Sequence, residues 1–218
     1  RSDLREHDGV RTLISQATSI QSAIADLLQR AALQVASGRL MAEGDGSAAQ
    51  LFLQVLATDP DNEIATQGLL QITTTVIAQT RQLLEQGAIG SAQAMLDLAE
   101  AEGLNATPIA SMREQIDSEI TRRRQIAVGL EQASVLFDQG FITAPVGNNA
   151  VALLRGVLQL DPGNEQANTL LGLCANRLAQ VAAQAREADM LIQARAYLSL
   201  ALSIRPDEEK WQAWEQSW

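Results

Sequence analysis

Two phrases in this chain recur at a fixed spacing, and an internal repeat constrains a fold more tightly than composition does. Val55-Leu56-Ala57-Thr58-Asp59-Pro60-Asp61-Asn62-Glu63 returns as Val157-Leu158-Gln159-Leu160-Asp161-Pro162-Gly163-Asn164-Glu165, displaced by 102 residues at every matched position. The match extends both ways without a gap. Gly38 falls on Gly140, Ala48 on Ala150, Leu51 on Leu153, Ala65 on Ala167, Leu69 on Leu171 and Glu85 on Glu187. Ala92, Leu96, Leu98 and Ala99 fall on Ala194, Leu198, Leu200 and Ala201. Between 22–101 and 124–203, 23 of 80 positions are identical. Most are small or aliphatic residues at helical spacing, or turn formers, which is the pattern of shared packing rather than shared chemistry. Residues 1–105 and 106–206 therefore read as two tandem modules. Residues 207–218 read as the start of a further helix, and the whole as a piece of a longer protein.

Each module reads as helices. A long one is expected over about 107–138, with Thr107 as N-cap and Pro108 at the first helical position, where its missing N–H is harmless. Ile109, Met112, Ile116, Ile120, Ala127, Leu130 and Ala133 recur close to the 3.6-residue period. Gly140 stops this helix, and a loop with Pro145 and Gly147 follows. Further helices are expected over about 149–159, 165–187 and 190–204, the second capped by Asn164 after the Asp161-Pro162-Gly163 turn. All five prolines (60, 108, 145, 162 and 206) sit at the proposed joints. Aromatics at 3% and the dominance of Ala, Leu and Gln also favour helices over strands.

Charge and composition exclude several function classes. The net charge is −10, from 16 basic and 26 acidic residues, and Lys210 is the sole lysine. A chain this acidic is poorly suited to nucleic acid or to an anionic membrane surface, whose affinity comes from Lys and Arg. Cys174 is the single cysteine and His7 the single histidine. An intramolecular disulfide, a multi-cysteine zinc site and a Cys–His pair are thereby excluded within this chain. No apolar run reaches 18 residues, so no membrane insertion is expected of this segment.

In the first module the scheme is Gly38, Ala48, Leu51, Leu56, Asp59, Pro60, Asn62 and Ala65, with the same pattern 102 residues on. Weaker sets are Gly87/Ala92/Ala99 and Asp189/Ala194/Ala201. This resembles the tetratricopeptide (TPR) repeat, in which small residues let paired helices approach and a proline ends the second helix. Two departures make it TPR-like rather than regular. The loops Arg39–Gly46 and Phe141–Asn148 are long, and aliphatics fill the family's aromatic positions. The modules also resemble regions found beside single membrane-spanning helices in Gram-negative bacterial proteins. The first resemblance implies an all-α, TPR-like superhelix of helical hairpins that binds a protein or peptide. The second implies a membrane-anchored bacterial parent, with this segment periplasmic or otherwise extracytoplasmic. One TPR subtype grips a C-terminal carboxylate with lysine and asparagine, and this sequence has no lysine at such a place.

The expected function is a non-catalytic scaffold or adaptor, with no cofactor and no metal. Partner-binding candidates are polar residues of the third helices: Gln71, Thr75 and Gln79 in one module, and Asn168, Asn176, Arg177 and Gln180 in the other. On a helix lining a groove, such groups could hydrogen-bond an extended peptide. A second class is self-assembly. Val10/Leu13, Ala17/Ile20 and Ile24/Leu27 form an a/d register over three heptads, which could seal a homodimer. A third class is a small-ligand-sensing region of a membrane-anchored signalling protein, with the ligand between the modules. Trp211, Trp214 and Trp218 share a helix face, either packed beneath a further repeat or anchoring an interface.

Other motifs read as structural. Asp59-Pro60-Asp61-Asn62-Glu63 lacks the Gly and Glu that an EF-type calcium loop needs at its sixth and twelfth places, where Ile64 and Leu70 stand. It reads as a helix stop, turn and N-cap. Gly44-Asp45-Gly46-Ser47 has the backbone of an anion cradle but no lysine, and Asp45 would repel phosphate. Arg122-Arg123-Arg124 spans about 200° of helix arc and cannot form one flat basic patch. Cys174 sits among leucines and reads as core.

Overall fold

The computed structural model describes residues 2–42, 46–104 and 107–218, and among them the regular secondary structure is all α-helix. The order is α1 (Ser2–Ala36), α2 (Ala48–Thr58), α3 (Glu63–Glu85), α4 (Ile89–Ala101), α5 (Thr107–Asp138), α6 (Ala150–Leu160), α7 (Glu165–Glu187), α8 (Leu191–Ile204) and α9 (Glu209–Ser217). The predicted helices are all present. The differences are one residue at α6 and α8, and at α5, where Thr107 is already helical rather than a cap.

Local chemistry sets the ends. Asn62 caps α3 by accepting from the Ala65 N–H at 3.1 Å, and its amide donates to Asp59 Oδ2 at 2.9 Å. Asn164 repeats both bonds, to Ala167 and Asp161, at 2.9 and 3.0 Å. Asp-Pro-x-Asn is thus a turn whose side chains satisfy helix-end donors. Gly38 and Gly140 stop α1 and α5 at φ values of 75° and 83°. That left-handed conformation lets the following N–H groups, of Arg39 and Phe141, close back onto Gln34 and Leu136 carbonyls at 2.9 and 2.8 Å. At Asp189, opposite Gly87 in the repeat register, an aspartate takes the left-handed turn at φ 61°.

The helices form two compact units, residues 1–119 and 120–218, and the division falls within α5. In the first unit α1 packs on α2, α2 on α3 and α3 on α4. Its core holds Leu51, Phe52, Val55, Ala65, Ile72, Val76, Ala92, Leu96 and Ala99. In the second unit α6 packs on α7, α7 on α8 and α8 on α9. Its core holds Leu154, Val157, Ala167, Cys174, Leu178, Ala194, Leu198 and Ala201. Val55, Ala65, Ile72, Val76, Ala92, Leu96 and Ala99 are each matched by a buried residue 102 positions later. The helix bounds of α2 and α3 reappear at the same displacement in α6 and α7. Among the described residues, no helix is long and apolar enough to cross a membrane.

Candidate functional site

The polar faces of α3 and α7 point to solvent. Gln71 and Gln79 are exposed, while Thr75 is half-buried and donates its hydroxyl to the Gln71 carbonyl at 2.9 Å. Thr74 does the same to Leu70 at 2.8 Å, so both hydroxyl protons are committed to their own helix. On α7, Asn168 and Asn176 line an open groove of about 430 Å³ with Thr169, Gly172, Ile204 and Arg205. Arg177 and Gln180 are exposed beyond its lining. Of the four α7 candidates, two line this groove and two do not.

The a/d seam of α1 divides into two parts. Val10, Leu13 and Ile20 are 52%, 66% and 49% exposed, and Ala17 is also open. Ile24 and Leu27 are half-buried. Ile14, outside the strict seam, is 61% exposed and widens the apolar stripe. Every described residue from 9 to 23 is exposed, so the apolar residues in the N-terminal half of α1 stand open among the described residues.

The tryptophans pack. Trp211 is buried, and Trp214 and Trp218 lie half-buried against the core of their unit. Trp214 and Trp218 stack with ring centroids 5.2 Å apart, and the Lys210 ammonium sits 4.9 Å above Trp214. Arg195 donates to the Trp218 carbonyl, tying α8 to the end of the chain.

Of the arginine run, Arg122 donates to the Leu160 carbonyl at 3.0 Å. With Arg123, Glu131 and Asp161 it rims an open groove of about 770 Å³ whose floor is Ile126, Leu130 and Val135. Arg124 lines a different groove with Gly129 and Gly156. The run is split between faces, as the helix arc requires. Cys174 is fully buried, and burial raises its thiol pKa to about 11. That keeps it neutral and unreactive at ordinary pH. The Gly44-Asp45 part of the anion-loop motif lies outside the described residues, as does the His7 side chain, while Ser47 caps α2. Among the described residues, no group of three or more His, Cys, Asp or Glu side chains could hold a metal ion.

Two features escape a linear reading. Glu102 is 6% exposed at the end of α4, accepting from the Ser47 hydroxyl and from Gln50 Nε2 at 3.1 Å. It ties the start of α2 to the end of α4. Arg113 of α5 bridges to α4, its Nε 2.8 Å from Glu100 and its terminal nitrogen 2.7 Å from Asp97. Those bonds, to Glu100 first and Asp97 second, raise the guanidinium pKa further above its ordinary value. Arg113 lies 13 and 16 positions beyond Glu100 and Asp97, and no spacing rule connects it to them.

Compared with known proteins, the chain matches no family model, no curated protein and no solved structure.

Proposed function

We propose that this chain is a TPR-like scaffold built from two copies of one helical module, and that it recruits another polypeptide through the open face of α1. The coincidence of helix bounds and buried positions at a displacement of 102 residues supports the duplication. One observation carries the recruitment reading: Val10, Leu13, Ile14 and Ile20 are 49–66% exposed on one helix. Single exposed apolar residues are ordinary, but a run on successive helical turns makes a contiguous patch of the kind that marks interaction sites. The groove under Arg122 and Arg123, with its apolar floor and charged rim, offers a second surface of the same character.

The test is a random-peptide display library panned in parallel on the chain and on its Leu13→Glu/Ile20→Glu variant. Both positions are exposed, so the variant keeps its helix content by circular dichroism. Sequences enriched on the parent and lost on the variant are expected. Equal enrichment on both would remove α1 as a recruiting surface.

The a/d register favours a second reading, self-association through α1. It predicts a sedimentation coefficient that rises with concentration and becomes constant in the same double variant. A strictly monomeric chain at high concentration would rule it out.

A further inference from the structure

The N-terminal half of α1 has two counterparts in this chain, and both are covered. In the repeat register, His7, Val10 and Ile14 correspond to Ile109, Met112 and Ile116 of α5, and then to Trp211 and Trp214 of α9 and Trp218 at its C-cap. Ile109, Met112 and Ile116 are at most 2% exposed. Trp211 is 5% exposed, with Trp214 and Trp218 packed beside it. On α1, Val10 and Ile14 stand open.

The charge beside this stripe varies with the helix that precedes it in the chain. On α5 it is Arg113, paired with Asp97 and Glu100 of α4. On α9 the same place holds Glu215, and α8 has Ser199 and Leu202 where α4 has its two carboxylates. Arginine goes with a carboxylate pair, and where the pair is missing so is the arginine. On α1 the place holds Arg11, exposed and with no ion pair among the described residues. Arg11 flanks Val10 and Ile14 on the helix surface as Arg113 flanks Met112 and Ile116.

We propose that the Val10–Arg11–Ile14 face of α1 docks a helix of the α4 type from another polypeptide: an alanine- and leucine-rich helix carrying two carboxylates three residues apart. This rests on the repeat register of the proposed function and names the chemistry of the partner. A second copy of this chain does not present such a helix. Its α4 carboxylates already hold Arg113, and its α8 lacks them and carries α9.

The probe is a fluorescein-labelled peptide with the sequence of residues 89–102, hydrocarbon-stapled through positions 90 and 94 and titrated by fluorescence anisotropy against the full chain. Saturable binding is expected. Arg11→Glu should weaken it about ten-fold, because an arginine that donates to two carboxylates is replaced by a repelling carboxylate. Val10→Glu/Ile14→Glu should abolish it, and Arg30→Glu, elsewhere on α1, should leave it unchanged. A peptide with the carboxylates at positions 97 and 100 changed to lysine should bind the Arg11→Glu chain better than the parent. Absence of saturation at millimolar chain, equal affinity for Arg11→Glu, or occlusion of the face by self-association would overturn the proposal. If panning yields α1-dependent ligands while this peptide fails to bind, the partner chemistry falls and the scaffold reading stands. If neither assay responds to α1 variants, both fall.

Discussion

Replacing Gly68 by alanine should destabilise the first unit, although the exchange removes a helix-interior glycine. Relief of the glycine penalty would by itself stabilise by up to about 1 kcal/mol. Against this stands the Phe52 ring: a Cβ on Gly68 would lie 2.5, 2.5 and 2.8 Å from three of its carbons. Phe52 is 5% exposed and packed in the core, so the ring has little room to move. Overpacking of that kind costs about 1–3 kcal/mol, and the net result should be a loss of about 1 kcal/mol. Gly68→Leu should lose more, about 3 kcal/mol by the same argument. The repeat register supplies the remedy, because the second unit has Leu154 and Leu170 where the first has Phe52 and Gly68. Phe52→Leu alone removes buried ring surface and should cost about 1–2 kcal/mol, a fraction of a full phenylalanine truncation. Combined with Gly68→Leu it rebuilds the pair of the second unit, and the double variant should lie within about 1 kcal/mol of the parent. The coupling is then about 3–5 kcal/mol, at or above the upper end of the range for residues in contact. The assay is equilibrium urea unfolding followed by far-ultraviolet circular dichroism, since all three tryptophans lie in α9 or at its C-cap and their fluorescence follows the second unit. A stabilised Gly68→Ala, or single-variant losses that simply add in the double variant, would refute both the steric argument and the register.

Three further outcomes follow from particular side chains. The Cys174 thiol has a folded pKa of about 11 against an ordinary 9.0, so the neutral form is favoured by folding. Its contribution to stability is complete below pH 9 and is lost as pH rises through 11; the urea midpoint of the parent should fall over that window relative to Cys174→Ala. Glu102→Ala should destabilise by about 1–3 kcal/mol, read from the urea midpoint, because it strands the buried Ser47 hydroxyl. Asp189→Gly should raise the midpoint of thermal unfolding, with a gain of about 1 kcal/mol, by removing a Cβ from a left-handed turn.

Helix positions were legible because their punctuation is local. Asn62 and Asn164 cap through bonds spanning three residues, and Gly38 and Gly140 take turns that other residues resist. Periodicity likewise marked Ile109, Met112 and Ile116 as one face. It marked Val10, Leu13 and Ile20 just as clearly, yet the first set is covered and the second is open. An apolar stripe shows which face wants cover and not whether a neighbour supplies it. The same limit separates Thr75, whose hydroxyl closes onto its own helix, from the exposed Gln71 and Gln79. It also hides Glu102 and Arg113, whose partners lie on other helices. Along the a/d register Ile24 and Leu27 are partly covered, and the open part stops before them.

The account turns on the N-terminal half of α1 being a helix that no described residue covers. Amide hydrogen exchange of the chain at low concentration tests this directly. A helical segment without tertiary cover opens easily, so amides of residues 9–23 should exchange at least about 100-fold faster than those of the α3 core around Ile72 and Val76. Protection of residues 9–23 equal to that of α3, unchanged on further dilution, would mean that the chain itself covers this face and would contradict the account.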